Sequence, residues 1–349
     1  MIPYFRLAKP KSELEALTAV YESGDWAQGK AISEVQEILK LVFNKPYVTL
    51  TSNGYAALFL SIKSLGIQNQ EIILPALGTC FAISNAIIAT GNTPIFCDVN
   101  LTDGNCCIES VSMLVKKRNI KHIITPNFGG NISNVSYFKN ELKLCVIEDA
   151  CQSFFSSSKI KSEADVQVFS FYPTKGINGI DGGAIITNNN TLYELAKSAV
   201  YYNDQLEYET TEHYNFRFLN LHASVLKSNL NRSNQIFDKL NAIESTYKVI
   251  LNKSSDITYL KNDISLCNHR FVLQFKNQEL KKEIISVFRD NEVSLSLYYI
   301  WNCSESEKSK FPNANQLITN CYCIPFFEDL SQKEINIVAN TLEDVIKKG

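Results

Sequence analysis

Seven short apolar runs, recurring through the first 190 residues, constrain the fold of this chain more than any other feature. They are Tyr47-Val48-Thr49-Leu50, Glu71-Ile72-Ile73-Leu74, Pro94-Ile95-Phe96-Cys97, His122-Ile123-Ile124-Thr125, Leu144-Cys145-Val146-Ile147, Val168-Phe169-Ser170-Phe171 and Ala184-Ile185-Ile186-Thr187. Several carry apolar residues in succession rather than in alternation, the pattern of strands covered on both faces. Helical periodicity occupies most of the intervals, at 55–66, 80–90, 108–117 and 133–141. The expectation is an α/β domain with a mostly parallel sheet flanked by helices, and ligands at the carboxyl ends of its strands.

Two helices precede the first run. Ser12 is a candidate cap for one carrying Leu14, Leu17 and Tyr21 on one face, and the second uses Ile32, Val35, Ile38, Leu39 and Val42. Beyond about residue 190 the rhythm loosens: a long helical stretch over 221–251, strand-like runs at Phe271–Phe275 and Val293–Leu297, a helix between them from about Leu280, and a final helix after Ser331. This predicts a large domain over 1–220, with an N-terminal helical segment, and a connecting helix plus a smaller α+β domain over 221–349. No repeat or Pro/Gly/Ser linker separates the two, so they are expected to share an interface.

Composition excludes several classes of function. Lys and Arg number 34 against 36 Asp and Glu, so the net charge of -2 supplies no field for a nucleic acid. No uncharged apolar run approaches the length of a membrane span, and no basic segment followed by an apolar one opens the chain; a cytosolic protein is expected. Ten cysteines lie in apolar stretches without a CxxC pair, as small core residues of a reducing compartment do. Four widely spaced histidines give no metal-binding pattern.

Four stretches put small or polar residues where strands end. Thr51-Ser52-Asn53-Gly54-Tyr55-Ala56-Ala57-Leu58 turns from strand into helix, either a phosphate site on free amides or an ordinary cap by Ser52 or Asn53. In Glu148-Asp149-Ala150-Cys151-Gln152, two acids follow a buried strand, and a helix cap accounts for only one of them. Phe169-Ser170-Phe171-Tyr172-Pro173-Thr174-Lys175-Gly176, followed by Asp181-Gly182-Gly183, sets a lysine among aromatic residues, a proline and glycines. A lysine in a partly desolvated pocket loses its proton more easily and can form a Schiff base. In Tyr214-Asn215-Phe216-Arg217-Phe218, Arg217 is either an anion clamp or part of a helix start.

These motifs, in this order, resemble the DegT family of pyridoxal-phosphate sugar aminotransferases, from Gly24-Asp25-Trp26 to Phe311-Pro312 and Ile324-Pro325-Phe326. The resemblance implies a large and a small domain of the aspartate aminotransferase-like fold. It also implies pyridoxal 5′-phosphate as cofactor, with Lys175 as the lysine joined to it. Asp149 would lie against the pyridine nitrogen, Gln152 would contact the ring hydroxyl, and Ser170 with the amides of Gly54 and Tyr55 would hold the phosphate. An asparagine at the place of Asn215 reaches the neighbouring subunit's site in relatives, which implies a homodimer with shared sites. Three positions depart from the family pattern. Tyr55 stands where threonine is usual, Cys80 or Phe81 where an aromatic stacks on the cofactor, and Asp181 where glutamate is usual.

The activity so implied is transfer of the amino group of glutamate to a nucleotide-linked keto-deoxysugar. The preferred acceptor is dTDP-4-keto-6-deoxy-D-glucose, giving dTDP-4-amino-4,6-dideoxy-D-glucose for surface polysaccharide. Tyr298, Tyr299 and Trp301 are candidate sugar or base contacts, with packing at the domain edge as their competing role. Amination at C3, and a non-catalytic protein that binds the same cofactor, are the alternatives. A dinucleotide-dependent oxidoreductase would need a GxGxxG turn that Ser52–Ala57 does not supply.

Overall fold

The computed structural model describes residues 1–349 except 79, 201–211, 262–268, 277, 298 and 349. Each of the seven apolar runs becomes a strand. In chain order the first strands are β1 (Tyr47–Thr51), β2 (Glu71–Pro75), the two-residue β3 (Leu77–Gly78), β4 (Thr93–Cys97), β5 (His122–Pro126), β6 (Cys145–Asp149), β7 (Val166–Ser170) and β8 (Gly183–Thr187). All but β3 form one seven-stranded sheet of order β1-β8-β7-β6-β5-β2-β4. Strands β4, β2, β5, β6 and β7 pair in parallel, and β8 runs antiparallel between β7 and β1. The carboxyl ends of β6 and β7 and the amino end of β8 therefore share one edge with the exit of β1.

Helices cover both faces, which is why the central strands need apolar residues at successive positions. They are α1 (Lys11–Ser23), α2 (Lys30–Phe43), α3 (Gly54–Ser64), α4 (Ala82–Ala89), α5 (Ile108–Arg118), α6 (Val135–Asn140), α7 (Phe154–Ser157) and α8 (Asn190–Val200). On one face Leu58, Ile62, Ile83 and Ile87 meet Ile72, Leu74, Ile124 and Val168. Part of the other face packs Val111 and Phe138 on Ile73, Ile123 and Val146.

The C-terminal part contributes α9 (Asn220–Asn231), α10 (Ser233–Leu251), β9 (Ile257–Tyr259), β10 (Phe271–Phe275), α11 (Gln278–Asp290), β11 (Ile300–Trp301), α12 (Pro312–Asn320), β12 (Cys321–Ile324) and α13 (Gln332–Lys348). Strands β12, β10 and β9 form an antiparallel sheet in that order, and β11 pairs with β3 across to the first part. One continuous apolar cluster takes in Phe43, Val48, Phe169 and Ile186 beside Phe271, Phe275, Phe288 and Val338, so the two sheets share a core.

Three local expectations change. Helix α1 begins at Lys11 with the extended Pro10 before it, so Ser12 lies inside the first turn and caps nothing. The 221–251 stretch breaks at Arg232, whose guanidinium binds Asn229 and takes both oxygens of Glu328 at 2.6 and 2.7 Å. Val293–Leu297 is not a strand: Val293 bridges Ile2 and Ser296 bridges Cys323, one residue each, as the segment passes from the N-terminal strap to β12. The sheet instead uses β9 and β12 beside β10.

Phe169 links core to site, since it is 1 % exposed, packs on Phe43 at 4.5 Å between ring centroids, and immediately precedes Ser170. Phe169→Ala is expected to cost about 3–5 kcal/mol of stability, read by denaturant unfolding; a loss under about 1 kcal/mol would contradict this packing.

Candidate active site

The exit of β1 sets the first wall. Asn53 is extended, and its Oδ1 accepts the Ala56 N–H at 2.8 Å, which caps α3. The amides of Gly54 and Tyr55 have no acceptor among the described residues, so the helix start presents two donors and the positive end of its dipole. Two glycines are required here. A Cβ at Gly54 would lie 2.8 Å from the Cβ of Ser170, and one at Gly183 would lie 2.4 Å from the Asn53 carbonyl oxygen. The hydroxyl of Ser170, at the end of β7, therefore stands directly against the start of α3.

The second wall is the end of β6, where successive side chains alternate between sheet faces. Glu148 turns inward, 1 % exposed, and its Oε1 accepts from Asn127 Nδ2 at 2.6 Å while Oε2 accepts from the Ser162 hydroxyl. Burial raises its pKa, and the Ser162 and Asn127 hydrogen bonds only partly offset that. Asp149 turns into the cleft, with Oδ1 accepting the Cys151 amide at 3.0 Å. Gln152 Oε1 accepts the Gly129 amide at 2.8 Å, and the Gly129 carbonyl accepts the His269 amide at 2.9 Å. One loop thus ties Gln152 to the residue before Arg270.

The third wall follows β7. Buried Phe171 anchors the loop through its amide to the Gly182 carbonyl at 2.8 Å and its carbonyl to the Gly179 amide at 2.9 Å. Between them a turn closes from Lys175 N–H to the Tyr172 carbonyl at 2.9 Å. Lys175 Nζ makes no hydrogen bond or ion pair among the described residues. Burial and the Asp149 carboxylate push the Cys151 thiol pKa up while Lys175 draws it down, so the three groups sit together.

The walls enclose a cleft of about 530 Å³ whose lining includes Gly54, Tyr55, Cys80, Asp149, Gln152, Ser170, Lys175 and Asp181. Phe81 is 52 % exposed and is not part of the lining. Asn215 and Arg217 lie in a neighbouring cleft of about 460 Å³ that shares Asn53 and Asp181, with Arg217 Nε donating to Asn215 Oδ1 at 3.0 Å. Tyr299 is buried and stacked on Phe128 at 4.7 Å, and Trp301 belongs to β11 under Lys308; neither lines these clefts. Tyr298 lies outside the described residues. The cleft also takes Tyr4, His269, Arg270, Ser296 and Leu297, which the sequence reading missed. The one signal for them was the polar pair His269-Arg270 directly ahead of an apolar strand. Among the described residues no cluster of His, Cys, Asp and Glu is suited to a metal ion, and no helix is long and apolar enough to cross a membrane.

The sequence profile of the DegT/DnrJ/EryC1/StrS aminotransferase family matches residues 8–343. The chain is 26 % identical over 318 residues to GDP-perosamine synthase of Escherichia coli O157:H7, covering 85 % of each chain. It is 23 % identical over 377 residues to UDP-4-amino-4,6-dideoxy-N-acetyl-beta-L-altrosamine transaminase of Campylobacter jejuni serotype O:23/36, covering 100 % of this chain and 98 % of the other. The crystal structure of NtdA from Bacillus subtilis with bound cofactor PMP superposes with a TM-score of 0.87 at 22 % identity, over 99 % of this chain and 85 % of that one.

Because burial raises the pKa of Glu148, its stabilising contribution is complete below about pH 4.5 and is lost as pH rises through the raised value. Glu148→Gln keeps the bond accepted from Asn127, turns the Ser162 contact round so that its amide donates to that hydroxyl, and is expected to weaken the loss of stability as pH rises above about 4.5. Glu148→Ala removes the acceptor of one Asn127 N–H, the other still reaching Ser153 at 2.9 Å, and that of the Ser162 hydroxyl, and is expected to cost about 1–3 kcal/mol. Urea unfolding across that pH range measures both; an unchanged slope in the Gln variant would refute the buried acid's role.

Proposed function

This chain belongs to the DegT/DnrJ/EryC1/StrS aminotransferase family, and on that premise we propose that it transfers the amino group of L-glutamate to a nucleotide-linked keto-deoxysugar. Aminotransferases of this family use pyridoxal 5′-phosphate. One observation carries the assignment of the site: Lys175 and Asp149 face a single cleft whose remaining wall is the unpaired amide pair of α3 beside Ser170.

The donor set fits that cofactor. The amides of Gly54 and Tyr55 and the Ser170 hydroxyl would hold its phosphate at the helix start, with the α3 dipole favouring the negative charge. Asp149 would face the ring nitrogen and, as an anion, favour its protonated form. Gln152, oriented by the Gly129 amide, would reach the ring hydroxyl. When bound, the cofactor supplies an aldehyde that takes up the amino group and a ring that accepts the electron pair released at carbon.

With the cofactor bound, Lys175 Nζ would be the amine that holds it and, once freed by an amino donor, the base that would carry a proton between the reacting carbon and the cofactor in each half-reaction. The low polarity contributed by Leu58, Ala82 and Leu297 limits water at that amine. Glutamate, its nitrogen exchanged for oxygen, would leave as 2-oxoglutarate, and the keto carbon of the sugar would exchange its oxygen for that nitrogen.

For the acceptor, a dTDP-4-keto-6-deoxyhexose aminated at C4 remains the leading candidate. The relatives named above carry GDP- and UDP-linked sugars, so the nucleotide is the element to vary. A homodimer is part of this reading: α1 buries none of its residues and exposes Leu14 and Tyr21, and nearby Trp26 is 48 % exposed, an apolar face for a second copy. Asn215 and Arg217 open beside the cleft, where such a copy would complete the site.

Purified protein loaded with cofactor should absorb in the visible, and glutamate should shift the band. Borohydride reduction and peptide mapping should find the adduct on Lys175. Lys175→Ala is expected to remain folded and lose on the order of 10³-fold or more in turnover. Asp149→Asn should lose a comparable factor while keeping the adduct. Incubation with GDP-, UDP- and dTDP-linked keto-sugars, read by mass and product NMR, identifies acceptor and carbon. An adduct on another residue, or substantial turnover without Lys175, would overturn the assignment.

A further inference from the structure

Beyond the groups used above, the cleft holds one more cation among its described lining residues, Arg270, immediately ahead of β10. Its guanidinium carbon lies 4.6 Å from the centroid of the Tyr4 ring and 5.6 Å from that of Phe5, so two aromatic faces clamp the group. Among the described residues the buried Nε atom has no hydrogen-bond partner and no carboxylate lies within ion-pair distance. The two acids of the cleft are otherwise engaged, Asp149 with the Cys151 amide and Asp181 with the Gly182 amide at 2.8 Å. A guanidinium does not lose its proton in a protein. Held half-buried without a counter-ion, it costs free energy until an anion arrives.

The placement narrows the anion. Arg270, His269 and Lys175 line the one cleft, and the charges of Arg270 and Lys175 both bear on His269, whose pKa burial lowers. In an amino acid the α-carboxylate is bonded to the very carbon that must sit beside Lys175 Nζ. In a nucleotide sugar the diphosphate is separated from the reacting carbon by most of the sugar ring. A cation on the lining of the lysine's own cleft suits the short arm, and the planar fork of arginine suits a carboxylate.

We propose that Arg270 binds the α-carboxylate of the amino donor and so decides which amines can enter the first half-reaction. The inference rests on the aminotransferase reading above. Tyr4, brought to the cleft by the strap in which Ile2 pairs with Glu292 and Ser294, orients the guanidinium by stacking. Recognition of the donor then depends on the N-terminal residues as well as on the small sheet.

The test isolates the donor half. In wild type, L-glutamate should convert the visible band far faster than 4-aminobutanoate, which lacks the α-carboxylate. Arg270→Met should lower the glutamate half-reaction's second-order rate constant by about 10- to 100-fold. It should weaken binding of α-methyl-L-glutamate, which perturbs the band without reacting through, by a similar factor, and leave the rate with 4-aminobutanoate and the KM for the nucleotide sugar unchanged. Arg270→Lys should restore part of the loss. Circular dichroism and the intact resting band establish that both variants fold and load. Unchanged affinity of Arg270→Met for α-methyl-L-glutamate would overturn the inference, and so would a loss confined to the nucleotide-sugar KM, which would assign the guanidinium to the diphosphate. A wild-type band indifferent to every amino acid would sink the aminotransferase reading as well; a wild type and an Arg270→Met variant that respond to glutamate alike would sink this inference alone.

Discussion

The site depends on a close approach of backbone to backbone. The turn between β1 and α3 lies against the ends of β7 and β8, with no space for a side chain at Gly54 or Gly183. Because β8 runs antiparallel between β7 and β1, the exit of β1 is brought to the same edge as the exit of β7, although 119 residues separate Thr51 from Ser170. The orphan amides of α3 and the Ser170 hydroxyl then converge without any loop having to reach for them. Rigid placement of this kind keeps anion-binding donors oriented before a ligand arrives.

The pairing of Glu148 with Asp149 follows from the pleat of β6. One residue of alternation sends the first carboxylate into the interior and the second into the cleft. The interior acid holds Asn127, and the Asn127 amide in turn donates to the Asp149 carbonyl at 2.9 Å. A buried polar network of this type fixes the strand end that carries the cleft-facing acid. Its cost is a carboxyl whose charged form is disfavoured, offset by hydrogen bonds from Asn127 and Ser162.

The remaining walls come from distant parts of the chain. Gly129 joins Gln152 to His269, and the strap over residues 1–8 crosses the C-terminal part, where Arg6 binds Glu334 through two nitrogens at 2.9 and 2.8 Å. Tyr4 and Arg270 meet only because both the strap and β10 pack there. The shared core of Phe169, Phe271 and Phe288 holds the two sheets at the distance that leaves a cleft between them.

The amino-acid order alone determined the seven strands, because residues buried on both faces must be apolar in succession, and it determined the motifs that end those strands. It also determined that Lys175, Asp149, Gln152 and Ser170 belong together, through the resemblance their spacing carries. Apart from the resemblance, which assigned Asp149, the residues left open which of two adjacent acids faces the cleft, since alternation is legible but its phase is set by register against β5 and β7. It misjudged the segment Val293–Leu297, whose alternation of Val, Ser and Leu suits a strand that the packing does not extend. Strand order, the neighbouring cleft around Asn215 and Arg217, and the meeting of Tyr4 with Arg270 were decided by the tertiary structure. Those contacts join residues from tens to more than two hundred positions apart, and no local periodicity records them.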